Sequence, residues 1–378
     1  MIRILFIARY RDPVMTRKVD LLARQPDLTL CHVYPAHWQD DLLDVGQPTL
    51  PAEEYRQIAL PMIGRTSDPH RALYRSLLFG MRGFRPDIVH AEEEPDSLTA
   101  LQIALARSIA APRARFVLYT WQNVDRPKRW YVRLVMRLTL RASDSVLCAN
   151  QGAVDLLRRQ SYTKWTGVLP AIGVDTGTFV PAARTVEESR AFVVGYVGRL
   201  VPEKGLDVLI AAVARLREDF HGQGPRPLEL RFIGDGPERE RLAETVRSAR
   251  LADVARFLPA VPPAQVARQM GELDVLVLPS RSTPVWQEQF GRVLVEAMAC
   301  RVPVVGSASG AIPEVVDDAG LLFPEGDAEA LAQCLRRLIG SPDLYSTLAE
   351  RGYDRVQHLY TQERIAAQTA DFYRRIVR

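Results

Sequence analysis

The stretch GYVGRLVPEKG, Gly195 to Gly205, contains the unit from which the rest of the chain is built. An apolar run ends in Gly198-Arg199, a short loop follows, and Lys204-Gly205 opens a helical pattern that runs to Glu218. Strand, loop and helix in that order are the start of a βαβ unit. The order recurs along the 378 residues. In the first half RILFIA, LTLCHVYP, DIVHA, RFVLYTW and SVLCAN read as strands. In the second half FVVGYVG, LELRFIG, DVLVLPS and PVVGSAS do. These runs are rich in Val, Ile and Leu with little polar alternation, the pattern of parallel strands covered on both faces. Helical patterns such as Glu238–Leu251 separate them. The fold class is α/β, with two Rossmann-like domains facing across a cleft.

The length exceeds one ordinary core, which also implies two domains. Residues 1–182 form the first and residues 183–360 the second, divided in the short polar stretch VPAARTVEES, Val180 to Ser189. Residues 361–378 read as a helix that packs back on the first domain. The composition, 47% hydrophobic and 25% charged, is that of a soluble globular protein. No apolar run approaches the roughly 20 residues of a membrane span. The start MIRILFIARY lacks a small-residue cleavage site and reads as a buried strand, not a signal peptide. Cys31, Cys148, Cys300 and Cys334 are far apart and form no Cys-x-x-Cys pair, so reduced thiols in a cytoplasmic protein are expected.

The net charge of +4 is unevenly spread. Residues 1–182 carry 24 Lys/Arg against 18 Asp/Glu, and residues 183–378 carry 25 against 27. Residues 97–165 alone hold 12 basic side chains and three acidic ones, so that segment should face something negative. Within it, Arg129, Arg133, Arg137 and Arg141 fall at steps of four beside Trp130, Leu134 and Leu138. Such a helix suits an anionic membrane surface, or simply presents arginines to water. Nucleic acid is not expected, because the stretch lacks the aromatic platforms of single-strand binders.

Open parallel sheets bind ligands at the carboxyl ends of their strands. Gly198 lets the backbone turn tightly, Arg199 can fork two phosphate oxygens, and Lys204 adds a point charge. Read alone, two solvated cations in a loop are the plainer reading. The second motif is WQEQFGRVLVEAMAC, Trp286 to Cys300. Gly291 stands where a helix begins, and the free N–H groups of a first turn make an anion site. Glu296 lies further along that helix, placed to accept from ribose hydroxyls. Glu288 precedes it and points towards whatever the anion carries. Helix-dipole complementarity for Glu288 and an exposed helix face for Glu296 are the plainer readings.

Together these motifs resemble a family. G-R-L-x-x-E-K-G, followed by E-Q-F-G-R-V-L-V-E-A-M-A, looks like the retaining, nucleotide-sugar-dependent glycosyltransferases of the GT-B type (family 4-like, glycosyl transferases group 1), whose signature is E-x7-E. FIGDGPE (Phe232–Glu238), FLPAV (Phe257–Val261) and PVVGSASGAIPEVV (Pro303–Val316) also match. The resemblance is dense in the second half and only in outline in the first. It implies that Arg199 and Lys204 hold the donor diphosphate, a UDP- or GDP-linked one, assisted by Gly198 and by backbone N–H groups of Phe290, Gly291, Arg292 and Val293. Glu296 takes the ribose, Glu288 the sugar, and Val261 lies against the base. The reaction moves a hexose-type sugar to a saccharide or lipid-linked acceptor with retention, in cell-envelope synthesis, without metal or cofactor. A cytoplasmic protein, peripheral at the inner face of the membrane, is implied.

Two departures stand out. The loop after the first strand, ARYRDPVMTRK (Ala8–Lys18), has no glycine, so Arg11, Arg17 or Lys18 would have to reach phosphate instead. The family's histidine after the fifth strand is replaced by YTWQN, where Trp121 could stack on a sugar and Gln122 and Asn123 could hydrogen-bond it. His90, after another strand end, would face the cleft or sit in the core. The acidic run Glu92–Glu94 would bind a hydroxylated acceptor or, more commonly, be solvated. Two other readings are an epimerase or hydrolase of the same fold and a non-catalytic sugar-nucleotide-binding subunit.

Overall fold

The computed structural model describes residues 1–9, 13–37, 55–64, 68, 71–182, 190–220 and 226–378. The chain forms two compact units. One comprises Met1–Gly173 with Gln362–Arg378, the other Val174–Thr361. The first unit therefore ends before residue 182. Val174 donates to the Tyr360 carbonyl and bridges Thr361, which ties residues after Gly173 to the second unit. Residues 183–189, within the expected divide, lie outside the described residues.

The first unit contains β1 (Ile2–Ile7), β2 (Leu28–Pro35), β3 (Arg56–Leu60), the small hairpin β4 (Met62–Gly64) and β5 (Ala72–Tyr74), then β6 (Ile88–Ala91), β7 (Arg115–Thr120), β8 (Ser145–Cys148) and β9 (Trp165–Val168). Seven of them form one sheet in the order β3-β2-β1-β6-β7-β8-β9, every pair parallel. One face buries Leu5, Val89, Phe116 and Val146 under the helices Leu77–Phe84, Leu98–Ala110, Trp130–Ala142 and Gln151–Arg159. The other buries Phe6, Val117 and Tyr119 under Pro13–Ala23 and the last helix, Gln362–Val377, which contributes Ile365, Ala366, Ala370 and Tyr373. The segment expected as a loop to Lys18 is thus helical from Pro13. Arg11 lies outside the described residues.

The second unit contains β10 (Phe192–Val197), β11 (Leu228–Ile233), β12 (Ala255–Leu258), β13 (Val275–Leu278), β14 (Val304–Ser307) and β15 (Leu321–Phe323). They form a parallel sheet in the order β12-β11-β10-β13-β14-β15. In each sheet the order reverses once, between β1 and β6 and between β10 and β13. That reversal leaves a crevice at the strands' carboxyl ends, the place where such sheets take ligands. The four cysteines are buried and unbridged.

Candidate active site

Both sequence motifs leave the second sheet at its reversal. β10 delivers Gly198-Arg199 and β13 delivers Pro279-Ser280. A cavity of about 650 Å³ opens there. Gly198, Arg199, Lys204, Val261, Glu288, Gly291, Arg292, Val293 and Glu296 line it, so residues far apart in sequence come together at one place.

A continuous helix from Lys204 does not form. Pro202–Lys204 is a single 3₁₀ turn, and Gly205 takes φ +61° before the helix Leu206–Asp219 begins. A Cβ on Gly205 would lie 2.2 Å from the Pro279 carbonyl oxygen, so only glycine allows the two loops to approach this closely. The approach sets Lys204 opposite Glu288, with Nζ 2.6 Å from Oε2. The Ser280 hydroxyl donates to the same oxygen at 2.9 Å, and the ammonium stands 4.9 Å from the Trp286 ring centroid. Glu288 is only 8% exposed, so its carboxylate is held in place from two sides.

The helix Arg292–Ala299 starts as the sequence indicates, with Gly291 at φ +73° as its N-cap. A Cβ there would meet Leu294 and Leu278 at 3.0 and 3.1 Å. Leu294 N–H closes on the Gly291 carbonyl at 2.8 Å. The N–H groups of Arg292 and Val293 have no backbone partner among the described residues, which leaves them to an anion. One turn on, Glu296 is 6% exposed and accepts from Arg292 Nε at 2.6 Å. The exposed-face reading of Glu296 is thereby overturned. Burial raises its carboxyl above the usual range, and Arg292 opposes that shift.

Arg199 is exposed at the rim, and its carbonyl accepts from the buried Tyr196 hydroxyl at 2.7 Å. Phe290 is buried with its ring edge-on to Tyr360 at 5.7 Å, and unlike its three successors it does not line the cavity. Sequence reasoning missed Ser280, Tyr196 and Trp286. The position of Ser280 directly after a strand was the available signal. The cavity pairs fixed positive charge with two buried carboxylates, a chemistry suited to an anion that carries hydroxyl groups.

The first unit corrects several expectations. His90 is fully buried, its Nδ1 hydrogen-bonded to the Tyr373 hydroxyl and its ring 4.8 Å from Phe6. Burial, then the Lys18 charge, hold it well below the usual histidine range. It is a core histidine, out of reach of a ligand. The acidic run is not solvated. Glu92 accepts from Lys18 Nζ at 2.8 Å, Glu93 is paired with Arg9, and Glu94 accepts from Thr120 Oγ1 at 2.6 Å and Trp121 N–H at 2.9 Å. Burial pushes Glu94 up to about 7. Lys18, once a candidate for phosphate, is buried in that network. Gln122 donates to Asp96 at 2.9 Å and accepts from Lys128 at 3.2 Å. Trp121 is half-buried, edge-on to Tyr119 at 5.5 Å, and Asn123 is buried. Arg17, on the first helix, lies 4.0 Å from Glu363.

A family model for "Glycosyl transferases group 1" matches residues 182–355, and one for "Glycosyl transferase 4-like domain" matches residues 14–167. The putative colanic acid biosynthesis glycosyltransferase WcaL of Escherichia coli K12 is 32% identical over 295 residues, 76% of this chain and 70% of that protein. The chain belongs to the glycosyl transferases group 1 family. This family member is also 31% identical over 271 residues to a 2-deoxystreptamine N-acetyl-D-glucosaminyltransferase of Streptomyces fradiae, covering 67% of the chain and 62% of the relative. A D-inositol 3-phosphate glycosyltransferase of Kineococcus radiotolerans is 34% identical over 229 residues, covering 54% and 51%. The matched stretches of these two relatives thus span less than two thirds of their length. Among solved structures, Anabaena HepE in complex with UDP superposes with a TM-score of 0.74 at 18% identity, over 99% of this chain and 100% of that one. Sucrose-phosphate synthase from Thermosynechococcus elongatus gives 0.71 at 22%, over 100% and 99%. Such likeness establishes the fold of this family member, two Rossmann-like domains of the GT-B type.

Proposed function

We propose that the protein is a retaining glycosyltransferase that moves a hexose-type sugar from a UDP- or GDP-linked donor to a saccharide or lipid-linked acceptor in cell-envelope glycan or glycolipid synthesis. One observation carries the reading: Arg199, Lys204 and the unpartnered N–H groups of Arg292 and Val293 line the same cavity as the buried carboxylates Glu288 and Glu296. The diphosphate takes the positive end and Glu296 takes the ribose. Glu288 meets the sugar, and Val261 and the backbone at Gly198 enclose the rest. The ammonium of Lys204 has three protons and uses one on Glu288, so it can neutralise the leaving diphosphate without releasing that carboxylate. In the transfer, the bond between the anomeric carbon and the phosphate oxygen breaks. The acceptor oxygen attacks from the same face, and its proton passes to the leaving phosphate. Fixed cations stabilise the charge that develops there, and the reading needs no metal.

On the acceptor side the reading keeps Arg17, Trp121, Gln122 and Asn123 and drops His90. The colanic acid relative supports an envelope glycan as the product class. The helix Trp130–Ala142 buries only Thr139 and Leu140 and exposes Trp130 at 76%, with Leu134 and Leu138 beside Arg133, Arg137 and Arg141. That face, with Arg129 at its start, suits peripheral contact with an anionic membrane from the cytoplasmic side. No helix among the described residues is long and apolar enough to cross a membrane.

The test is a thermal-shift screen against UDP, GDP, ADP and their sugars, followed by nucleotide release with and without acceptor. Stabilisation by one nucleotide family and acceptor-dependent release are expected, with the product anomer checked by NMR. Release that ignores acceptor points to a hydrolase or epimerase. Binding without turnover points to a sugar-nucleotide-binding subunit.

A further inference from the structure

A second cavity, of about 730 Å³, lies in the first unit. Its walls are the 125–128 loop, one face of the helix Trp130–Ala142 and the turn 159–164. Arg133, Arg137 and Arg141 stand one turn apart on the helix, and Arg126 in the loop and Arg159 at the end of the helix Gln151–Arg159 join them. Like charges four residues apart on a helix repel one another. Elsewhere on the same unit repulsion between neighbouring arginines is offset by a carboxylate, as Arg107 and Arg115 share Asp144 at 3.0 and 3.3 Å. In the cavity it is not. Asp125 is the one acid on the lining, and among the described residues no carboxylate is within ion-pairing distance of these five arginines.

The setting is built, not loose. Arg133 Nε donates to the Lys128 carbonyl at 3.0 Å, which anchors its guanidinium. Lys164 donates to the carbonyls of Arg141 and Ser143 and so ties the turn to the helix end. Ser161 takes φ +64° within that turn. Met136, Leu140 and the buried Tyr162, whose hydroxyl lies 3.1 Å from that of Ser143, make the floor. A concave, low-dielectric wall focuses positive potential, and guanidinium forks match phosphate oxygens in pairs.

We infer that this cavity is a binding site for a phosphate-bearing group, a diphosphate or a phospholipid headgroup, gripped by Arg133, Arg137 and Arg141 and closed by Arg126 and Arg159. The shared chemistry has two sources, a soluble diphosphate or a lipid headgroup, and the experiment separates them. Full-length protein carrying Arg199→Ala and Lys204→Ala serves as background, so the proposed donor site cannot capture the probe. Inorganic pyrophosphate is titrated by calorimetry at fixed ionic strength. Co-sedimentation is measured with vesicles of phosphatidylcholine, with and without phosphatidylglycerol. Adding Arg137→Ser and Arg141→Ser weakens binding roughly tenfold per arginine. The pair Arg137→Lys and Arg141→Lys keeps the charge but loses the fork, and gives an intermediate loss. Pyrophosphate binding with this ranking supports the site with a soluble source. Binding confined to phosphatidylglycerol vesicles, with the same ranking, supports it with a headgroup. Binding of neither probe, or binding that survives the serine pair while circular dichroism shows a folded chain, overturns it.

Discussion

Two lysine–glutamate pairs, one in each unit, have nearly the same geometry and opposite surroundings. Lys204 and Glu288 meet at 2.6 Å on the wall of a cavity, while Lys18 and Glu92 meet at 2.8 Å inside a packed core beside His90. The Lys204 and Glu288 side chains keep 19% and 10% of their exposure, and those of Lys18 and Glu92 keep 4% and 3%. The first pair is placed to take on a ligand as well, because the ammonium uses one of its three protons on Glu288 and faces a cavity with the others. The second is sealed, with Phe6 and Tyr119 over the ammonium and the buried His90 ring 3.7 Å from the same carboxylate. An ion pair is therefore a site or a strut according to what stands next to it, and the contrast can be tested.

The largest effect is expected in the core. Lys18→Met leaves the Glu92 carboxylate buried without its cation and should lower stability by about 3–5 kcal/mol in urea unfolding. Adding Glu92→Gln should restore most of that loss. If the single change costs under about 1 kcal/mol, the pair is not sealed and the contrast fails. At the cavity the balance reverses. Lys204→Ala and Glu288→Ala should each cut sugar transfer roughly 10²–10³-fold, the scale of losing one preorganised transition-state partner. The melting temperature should move little, because water fills the gap. Transfer that persists in both variants would remove the site assignment.

A third test uses Glu94. Its carboxyl titrates higher in the folded chain, about 7, than the ordinary 4.5. The folded state then holds the proton more tightly, and this group's contribution to stability declines as pH rises from about 4.5 to 7. His32, held down to about 4 by burial, and His90, held low by the same cause, act in the opposite sense and lose stability as pH falls below about 6.5. The comparison with Glu94→Gln isolates the carboxyl. The stability difference between the variant and the parent should grow by up to about 3 kcal/mol between pH 5 and pH 8. A pH-independent difference would show that the carboxyl is solvated after all. The smallest effect is expected at Glu296. Glu296→Gln should raise the donor KM roughly tenfold with kcat nearly unchanged, the signature of binding lost equally in ground and transition states.

Apart from the small hairpin of β4 and β5, the strands that the sequence reading overlooked share one property. β3, β9, β12 and β15 are the four outer strands of the two main sheets. Inner strands such as β6, β8, β13 and β14 are buried at every residue, whereas β3, β9 and β12 are mostly exposed or half-exposed along Arg56–Leu60, Trp165–Val168 and Ala255–Leu258. The search for unbroken apolar runs finds strands covered on both faces and passes over those with one open edge. β15 is three residues long, too short to show a period. The candidate site was more legible than the sheet edges, because Gly198 and Arg199 follow directly on a buried strand and the two glutamates flank a helix start marked by Gly291. The Lys204–Glu288 bond itself was not, since it joins loops 84 residues apart.

The sequence alone determined the α/β class, the two-domain plan and which residues gather at the second sheet, because apolar periodicity and residue type are local properties. Only the tertiary structure decided which charges are available. His90 lies near the end of a strand and Glu92–Glu94 follow it just as Arg199 follows another, yet a helix from the end of the chain and the side chains of Lys18, Arg9 and Thr120 close over them. Burial and pairing depend on which distant segments pack on a residue. The difference between a solvated acid, a core strut and a ligand-binding group is therefore set by the fold and not by neighbours in the chain.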